Sequence, residues 1–333
     1  MNVCICGGGA LGHVCIGKFS QCKDVQINVL TNHPELWSTN ISVLDPNGKI
    51  LIGRINKVSN LAEDVIPQSD IILLCVPGFL MESTLRKIVS LVKPDTFIGS
   101  IVSNTGFFFF AHEIFSSNVS LFGFQRTPYI GRVVEYGKKA NLLGYKKEVF
   151  LVVETEKDKD TFRSLIEKLV MTPVRLLDNF YEVSLSNSNP ILHTGRLYSM
   201  WHDWKGEAVL DCIYFYKDWD VKSSRIIIEM DKEFMRLLNK LNVNKKSIPS
   251  LLDYYESTDE ITLTRKLSSI PAFQTILAPM VKTELGWIPD FTNRYFIEDF
   301  PFGLRFIKEL ADSVGLDMPV INKVYRWGMK VIG

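Results

Sequence analysis

Two short stretches, far apart in the chain, carry the residue types that proton chemistry needs. In the first, Ser188-Asn189-Pro190-Ile191-Leu192-His193, Asn189-Pro190 reads as an N-cap and first helical residue. That puts His193 about one turn inside a helix. An imidazole placed there either exchanges protons near neutrality or packs as a hydrogen-bonded neutral residue. In the second, Arg294-Tyr295-Phe296-Ile297-Glu298-Asp299-Phe300-Pro301, Asp299 ahead of Pro301 marks a helix start. Its carboxylate serves as a cap there, or as a partner that orients an imidazole. Arg294 offers a planar fork to a substrate carboxylate, or forms a surface ion pair.

A third stretch opens the chain. Val3-Cys4-Ile5-Cys6 is a short apolar run, followed by Gly7, Gly9 and Gly12 in G-x-G-x-x-G register, then by residues at helical spacing. Strand, glycine turn and helix together form a dinucleotide site. The first glycine permits the turn, and the second lets a pyrophosphate approach the backbone. The third lets the helix lie close on the strand, and the helix N-terminus faces the phosphates. Expected contacts are Gly7, Gly9, Ala10, Leu11 and Gly12, with Val76 and Pro77 at the end of another strand. A second strand over 25–30 ends in Thr31-Asn32-His33, where the adenosine ribose belongs. An NAD site usually places a carboxylate there, and here there is none. The residues therefore leave NAD and NADP both open, with a lean to NADP(H).

The elements that position these residues fall into two textures. Strand signals at 3–6, 25–30, 70–76, 96–102, 121–125, 148–153 and 174–177 alternate with helical spacing at 79–92 and 158–169. Asp45-Pro46-Asn47-Gly48 marks a hairpin within 41–55, and 61–66 a short helix. The continuous apolar run Ile71-Ile72-Leu73-Leu74 suits a parallel strand covered on both faces. This alternation predicts an α/β, Rossmann-type, doubly wound and mostly parallel sheet over 1–178. From 179 to 333 helical spacing takes over, at 183–201, 223–241, 250–255, 301–314 and 319–331, which predicts an all-helical second domain.

With 46% hydrophobic and 23% charged residues among 333, the chain can bury two cores. A net charge of +1 gives no field for nucleic acid or an anionic membrane surface. The six cysteines form no C-x-x-C pair, and no metal site is expected. No apolar run reaches membrane-spanning length. No charged leader precedes an apolar core at the N-terminus. A cytoplasmic protein acting on small molecules, with a homodimer as the assembly to consider, follows.

Asn189-Pro190-x-x-His193 and Arg294-Tyr295-x-x-Glu298-Asp299-x-Pro301-x-Gly303-Leu304 resemble the octopine/nopaline (opine) dehydrogenase family. The glycine turn, Cys75-Val76-Pro77 and Pro128-Tyr129-Ile130-x-Arg132 extend the resemblance across nearly the whole chain. It implies a dinucleotide domain joined to a helical domain of the 6-phosphogluconate-dehydrogenase C-terminal type. It also implies reductive condensation of an α-keto acid with an amino acid, using NADH or NADPH. The family's His–Asp dyad falls on His193 and Asp299, and its substrate-carboxylate position on Arg294. Gln125, Tyr198 and Trp201 are further candidates to contact substrate. Two other readings stand beside this one. The first is a ketopantoate-reductase or hydroxyacid-dehydrogenase type of reductase, which would need no amine and typically relies on a helical-domain lysine. The second is a nucleotide-binding protein without catalysis.

Overall fold

The computed structural model describes residues 1–115, 119–244 and 246–333. The chain divides into two compact units, Met1–Ser184 and Leu185–Gly333.

In the N-terminal unit, β1 (Asn2–Cys6) leads into α1 (Ala10–Phe19), and β2 (Gln26–Leu30) returns parallel to it. Then come β3 (Asn40–Leu44), β4 (Ile50–Arg54), β5 (Lys57–Ser59), β6 (Ile71–Leu74), α2 (Gly78–Ile88) and β7 (Phe97–Ser100). Next are α3 (Phe107–Ile114), β8 (Ser120–Phe124), β9 (Tyr129–Glu135), β10 (Lys139–Tyr145), β11 (Val149–Glu154), α4 (Lys159–Val170), β12 (Val174–Leu176) and α5 (Tyr181–Ser184). The main sheet runs β12-β11-β8-β7-β6-β1-β2-β5. Its ladders are parallel except β8–β11. All four residues of β6 are buried, as an inner strand of a covered sheet requires.

A second sheet, in the order β4-β3-β10-β9, was only half legible in the sequence. The β3–β4 hairpin turns where Asp45 accepts from the Asn47 and Lys49 amides at 2.9 and 2.8 Å. Strands β9 and β10 carry no expected signal. Ile130, Val133 and Val134 are apolar yet exposed, so the inside-outside alternation that marks a half-buried strand is missing. The short helix expected over 61–66 is a 3-10 turn, Ala62–Asp64.

The C-terminal unit contains α6 (Asn189–Trp201), α7 (Val221–Lys240), α8 (Leu251–Tyr254) and α9 (Glu260–Ser269). They are followed by β13 (Met280–Thr283), β14 (Gly286–Pro289), α10 (Arg294–Ile297), a π-turn over Phe300–Leu304, α11 (Arg305–Ser313) and α12 (Pro319–Ile332). The unit is helical but not all-helical, because β13 and β14 pair in an antiparallel hairpin. The helix expected over 183–201 is broken. Residues 185–188 are non-helical, Asn187 Oδ1 accepts from the Asn189 amide at 3.2 Å, and Pro190 restarts the helix.

Helix α7 stabilises α12 end-on. Buried Glu233 accepts from the Val320 and Ile321 amides at 3.0 and 2.9 Å. These are first-turn donors that no intrahelical carbonyl can satisfy. Glu233→Ala leaves both unmet, one buried and one half-buried, so urea denaturation is expected to show a loss of about 2 kcal/mol. A loss below about 0.5 kcal/mol would show that this cap contributes little.

Candidate active site

His193 lies in the first turn and a half of α6 and is 5% exposed. Its Nδ1 is 2.8 Å from Asp299 Oδ2, across 106 residues of sequence. Asp299 stands immediately before the π-turn, and its side chain makes no cap bond to that turn. The carboxylate is therefore turned outward to the imidazole. The irregular winding supplies this orientation: Pro301 has no N–H, Phe302 leaves helical dihedrals, and Leu304 N–H reaches back to the Asp299 carbonyl at 2.8 Å. One-turn π insertions recur where a helix must aim a side chain.

The other ring nitrogen is also engaged. Tyr216 Oη lies 3.0 Å from Nε2. Tyr295 stacks on the imidazole, with centroids 4.4 Å apart and planes at 24°, and Phe215 meets it edge-on at 5.5 Å. A carboxylate only accepts, so Nδ1 carries the hydrogen in this pair, and in the neutral ring the Nε2 lone pair faces the tyrosine. Burial raises the Tyr216 and Tyr295 phenols above the ordinary tyrosine range.

The N-terminal unit presents a cavity of about 580 Å³ over the glycine turn. Gly7 takes a φ of +118°, and a Cβ there would stand 2.6 Å from the Cys75 carbonyl oxygen. A Cβ on Gly12 would stand 2.3 Å from the Gly7 carbonyl oxygen, so helix and turn touch backbone to backbone. A Cβ on Gly9 would meet nothing. Gly9 caps α1 without any side-chain bond. Open space in front of an uncapped helix N-terminus fits a phosphate group. Thr31, Asn32, His33, Val76 and Pro77 line the same cavity, whereas Ala10 and Leu11 sit in the first turn of α1.

Residues 176–332 match the family model described as NAD/NADP octopine/nopaline dehydrogenase, alpha-helical domain. That match spans the helical unit, and over its full length the chain is similar to opine and octopine dehydrogenases. It is 26% identical to octopine dehydrogenase of Pecten maximus, over 100% of this chain and 90% of that protein. Tauropine dehydrogenase of Arabella iricolor is also 26% identical, over 99% and 91%. A solved octopine dehydrogenase bound to NADH and L-arginine shares the fold, with a TM-score of 0.88 at 24% identity. That match covers 100% of this chain and 90% of the other.

The remaining candidate residues are scattered. Arg294 is largely exposed, 3.8 Å from Glu298, at the edge of a cavity of about 320 Å³ that Tyr295 also lines. Tyr198 and Trp201 are buried in aromatic packing. Tyr198 stacks on His202, and Trp201 on Phe296. Gln125, in the N-terminal unit, donates to the Glu182 carbonyl at 3.0 Å.

Three residues that sequence reasoning passed over stand at these sites. Tyr216 touches His193. Tyr136, on the β9–β10 turn, reaches Thr31 Oγ1 at 2.8 Å and lines the glycine cavity. Lys87, on α2, lines that cavity too and donates to the Asn60 carbonyl at 2.7 Å. His13 is explained by packing. It bonds the Gly9 carbonyl through Nδ1 and the Gly137 amide through Nε2, and burial holds it below the ordinary histidine range.

Gly9→Ala separates binding from folding. With open space at that Cβ, the melting temperature should stay within about 2 °C of the parent. NAD(P)H affinity by fluorescence titration should fall at least about tenfold, because the methyl group stands where the pyrophosphate approaches. Unchanged affinity would remove the glycine turn as the phosphate site.

Proposed function

We propose that this chain is an NAD(P)H-dependent opine dehydrogenase that joins an α-keto acid to the amino group of an amino acid. The observation that carries this reading is the buried His193–Asp299 pair. It lies on the two sequence motifs, 189–193 and 294–304, that are the specific part of the family resemblance.

The bound cofactor supplies a hydride to the carbon of the imine formed between the two substrates. His193 exchanges a proton at the reacting centre through Nε2, and Asp299 holds the ring in the required tautomer and stabilises its protonated form. Arg294, free to swing from its exposed position, grips a substrate carboxylate. A lysine-based keto-acid reductase is disfavoured because His193 occupies the catalytic turn of α6. The names of the relatives point to amino-acid partners that differ within the family, so the amine is the part to be found by trial.

The adenosine end favours NADPH. The described lining of the glycine cavity holds Thr31, Asn32, His33, Ser83, Thr84 and Lys87 and no carboxylate. A 2′-phosphate would meet hydroxyls and one ammonium instead of a repelling acid.

The test incubates the protein with NADH or NADPH, pyruvate and a panel of amino acids. Cofactor oxidation that requires both the keto acid and an amine supports the reading, and oxidation by the keto acid alone contradicts it. On an accepted pair, His193→Ala should lower kcat by about a hundredfold or more. Lys87→Ala should weaken NADPH binding about tenfold while moving NADH binding less than about twofold. Equal effects on the two cofactors would remove Lys87 as a 2′-phosphate contact.

A further inference from the structure

His193 is buried, and both of its nitrogens are taken by side chains of its own chain. Asp299 holds Nδ1 at 2.8 Å, so any proton exchange with substrate uses Nε2, and there the Tyr216 hydroxyl stands at 3.0 Å. Burial raises the Tyr216 phenol, and Tyr295, Tyr255 and Asp299 add to it. A phenol that keeps its proton is a donor, so a neutral Nε2 opposite it accepts. Carboxylate and phenol thus demand the same tautomer from opposite sides of the ring.

The position of Tyr216 is itself built. Its ring stacks on Phe273 at 4.4 Å and lies parallel to Trp219 at 5.8 Å. The Trp219 indole donates to Ser224 Oγ at 3.0 Å, and the Arg196 guanidinium lies 5.2 Å from the indole centroid. Arg196 is 2% exposed and follows His193 by three residues on α6. Its Nη2 donates to the Asp218 carbonyl at 2.6 Å. Its Nη1 donates to Asp220 Oδ2 at 3.0 Å and to Ser223 Oγ at 2.7 Å. A guanidinium is costly to bury unless its donors are satisfied. Here Nη1 and Nη2 are satisfied and Nε is not, and the two Nη groups fasten the irregular segment that follows Tyr216 to the helix that carries His193.

We propose that Tyr216 is a positioning residue for His193. Its hydroxyl fixes the imidazole in the Nδ1–H tautomer with the lone pair on Nε2, and Arg196 acts through it by holding the backbone at 218–220. The catalytic consequence rests on the reading of His193 as the proton-exchanging group. The tautomer does not, and it is measurable without turnover.

The experiment records long-range 1H–15N correlation spectra of the full chain labelled with 15N-histidine, with His193 assigned by its loss in His193→Gln. At neutral pH the parent should show a protonated Nδ1 and an unprotonated, hydrogen-bonded Nε2. Tyr216→Phe should move the Nε2 resonance downfield, toward that of an unbonded lone pair, and leave the other four histidines in place. Arg196→Lys, which keeps the charge but not the fork, should move it the same way by less. On an accepted substrate pair, Tyr216→Phe should lower kcat about tenfold to a hundredfold, with KM held within about threefold. An Nε2 resonance unmoved in Tyr216→Phe, or a parent ring protonated on Nε2 and bare on Nδ1, overturns the proposal. Movement in Tyr216→Phe but none in Arg196→Lys overturns the part assigned to Arg196. If the resonance moves as expected but no substrate pair turns over, the positioning stands and the proposed function falls.

Discussion

A buried imidazole must find partners for both of its nitrogens, because water is not there to supply them. That constraint organises the helical unit. Helix α6 places His193, and the π-turn at Phe300–Leu304 leaves the Asp299 carboxylate pointing away from its own helix. The irregular segment before α7 brings Tyr216 to the far side of the ring. Asp299 abuts the irregular π-turn and Tyr216 lies in a turn, whereas His193 stands in regular helix. Local irregularity of this kind persists only where surrounding packing over-determines it. Here an aromatic shell of Phe215, Trp219, Phe273 and Tyr295 does so.

The N-terminal unit solves a different problem with different means. A phosphate group needs backbone donors and empty space, so its site is made of what side chains leave out. Gly7 and Gly12 let strand, turn and helix approach at backbone distance, and Gly9 opens onto the cavity. His13 and Tyr136 then tie the turn between β9 and β10 to the glycine turn and to the end of β2. The second sheet thereby becomes part of the cavity wall.

Legibility followed the range of the physics. The glycine turn, the apolar strand Ile71–Leu74 and the helix start before His193 are local patterns, and each is present in the structure. Asp299 was readable as a residue at a helix start, but its partner lies 106 positions away, and the family motif rather than periodicity paired the two. Tyr216 carried no signal. Tyr214-Phe215-Tyr216-Lys217-Asp218-Trp219 has neither strand nor helix spacing, and an aromatic cluster alone reads as core. Strands β9 and β10 were hidden because exposed Ile130, Val133, Val134 and Leu143 break the apolar alternation around buried Tyr129, Ala140 and Leu142, and Tyr136 was hidden with them. Tyr198 and Trp201 show the converse. Their aromatic character fits a substrate pocket as well as a core, and burial against His202 and Phe296 gives them packing roles in this unit.

The central claim is that His193 serves the formation of a carbon–nitrogen bond that is reduced by hydride. Its most direct test uses NADPH deuterated at the nicotinamide C4 position, with pyruvate and an accepted amino acid, and mass spectrometry of the products. The account predicts a secondary-amine product with one deuterium on the former keto carbon, formed by the parent and lost in His193→Ala. Deuterium in a 2-hydroxy acid made without the amine, or an equal yield of labelled secondary amine from His193→Ala, would contradict it.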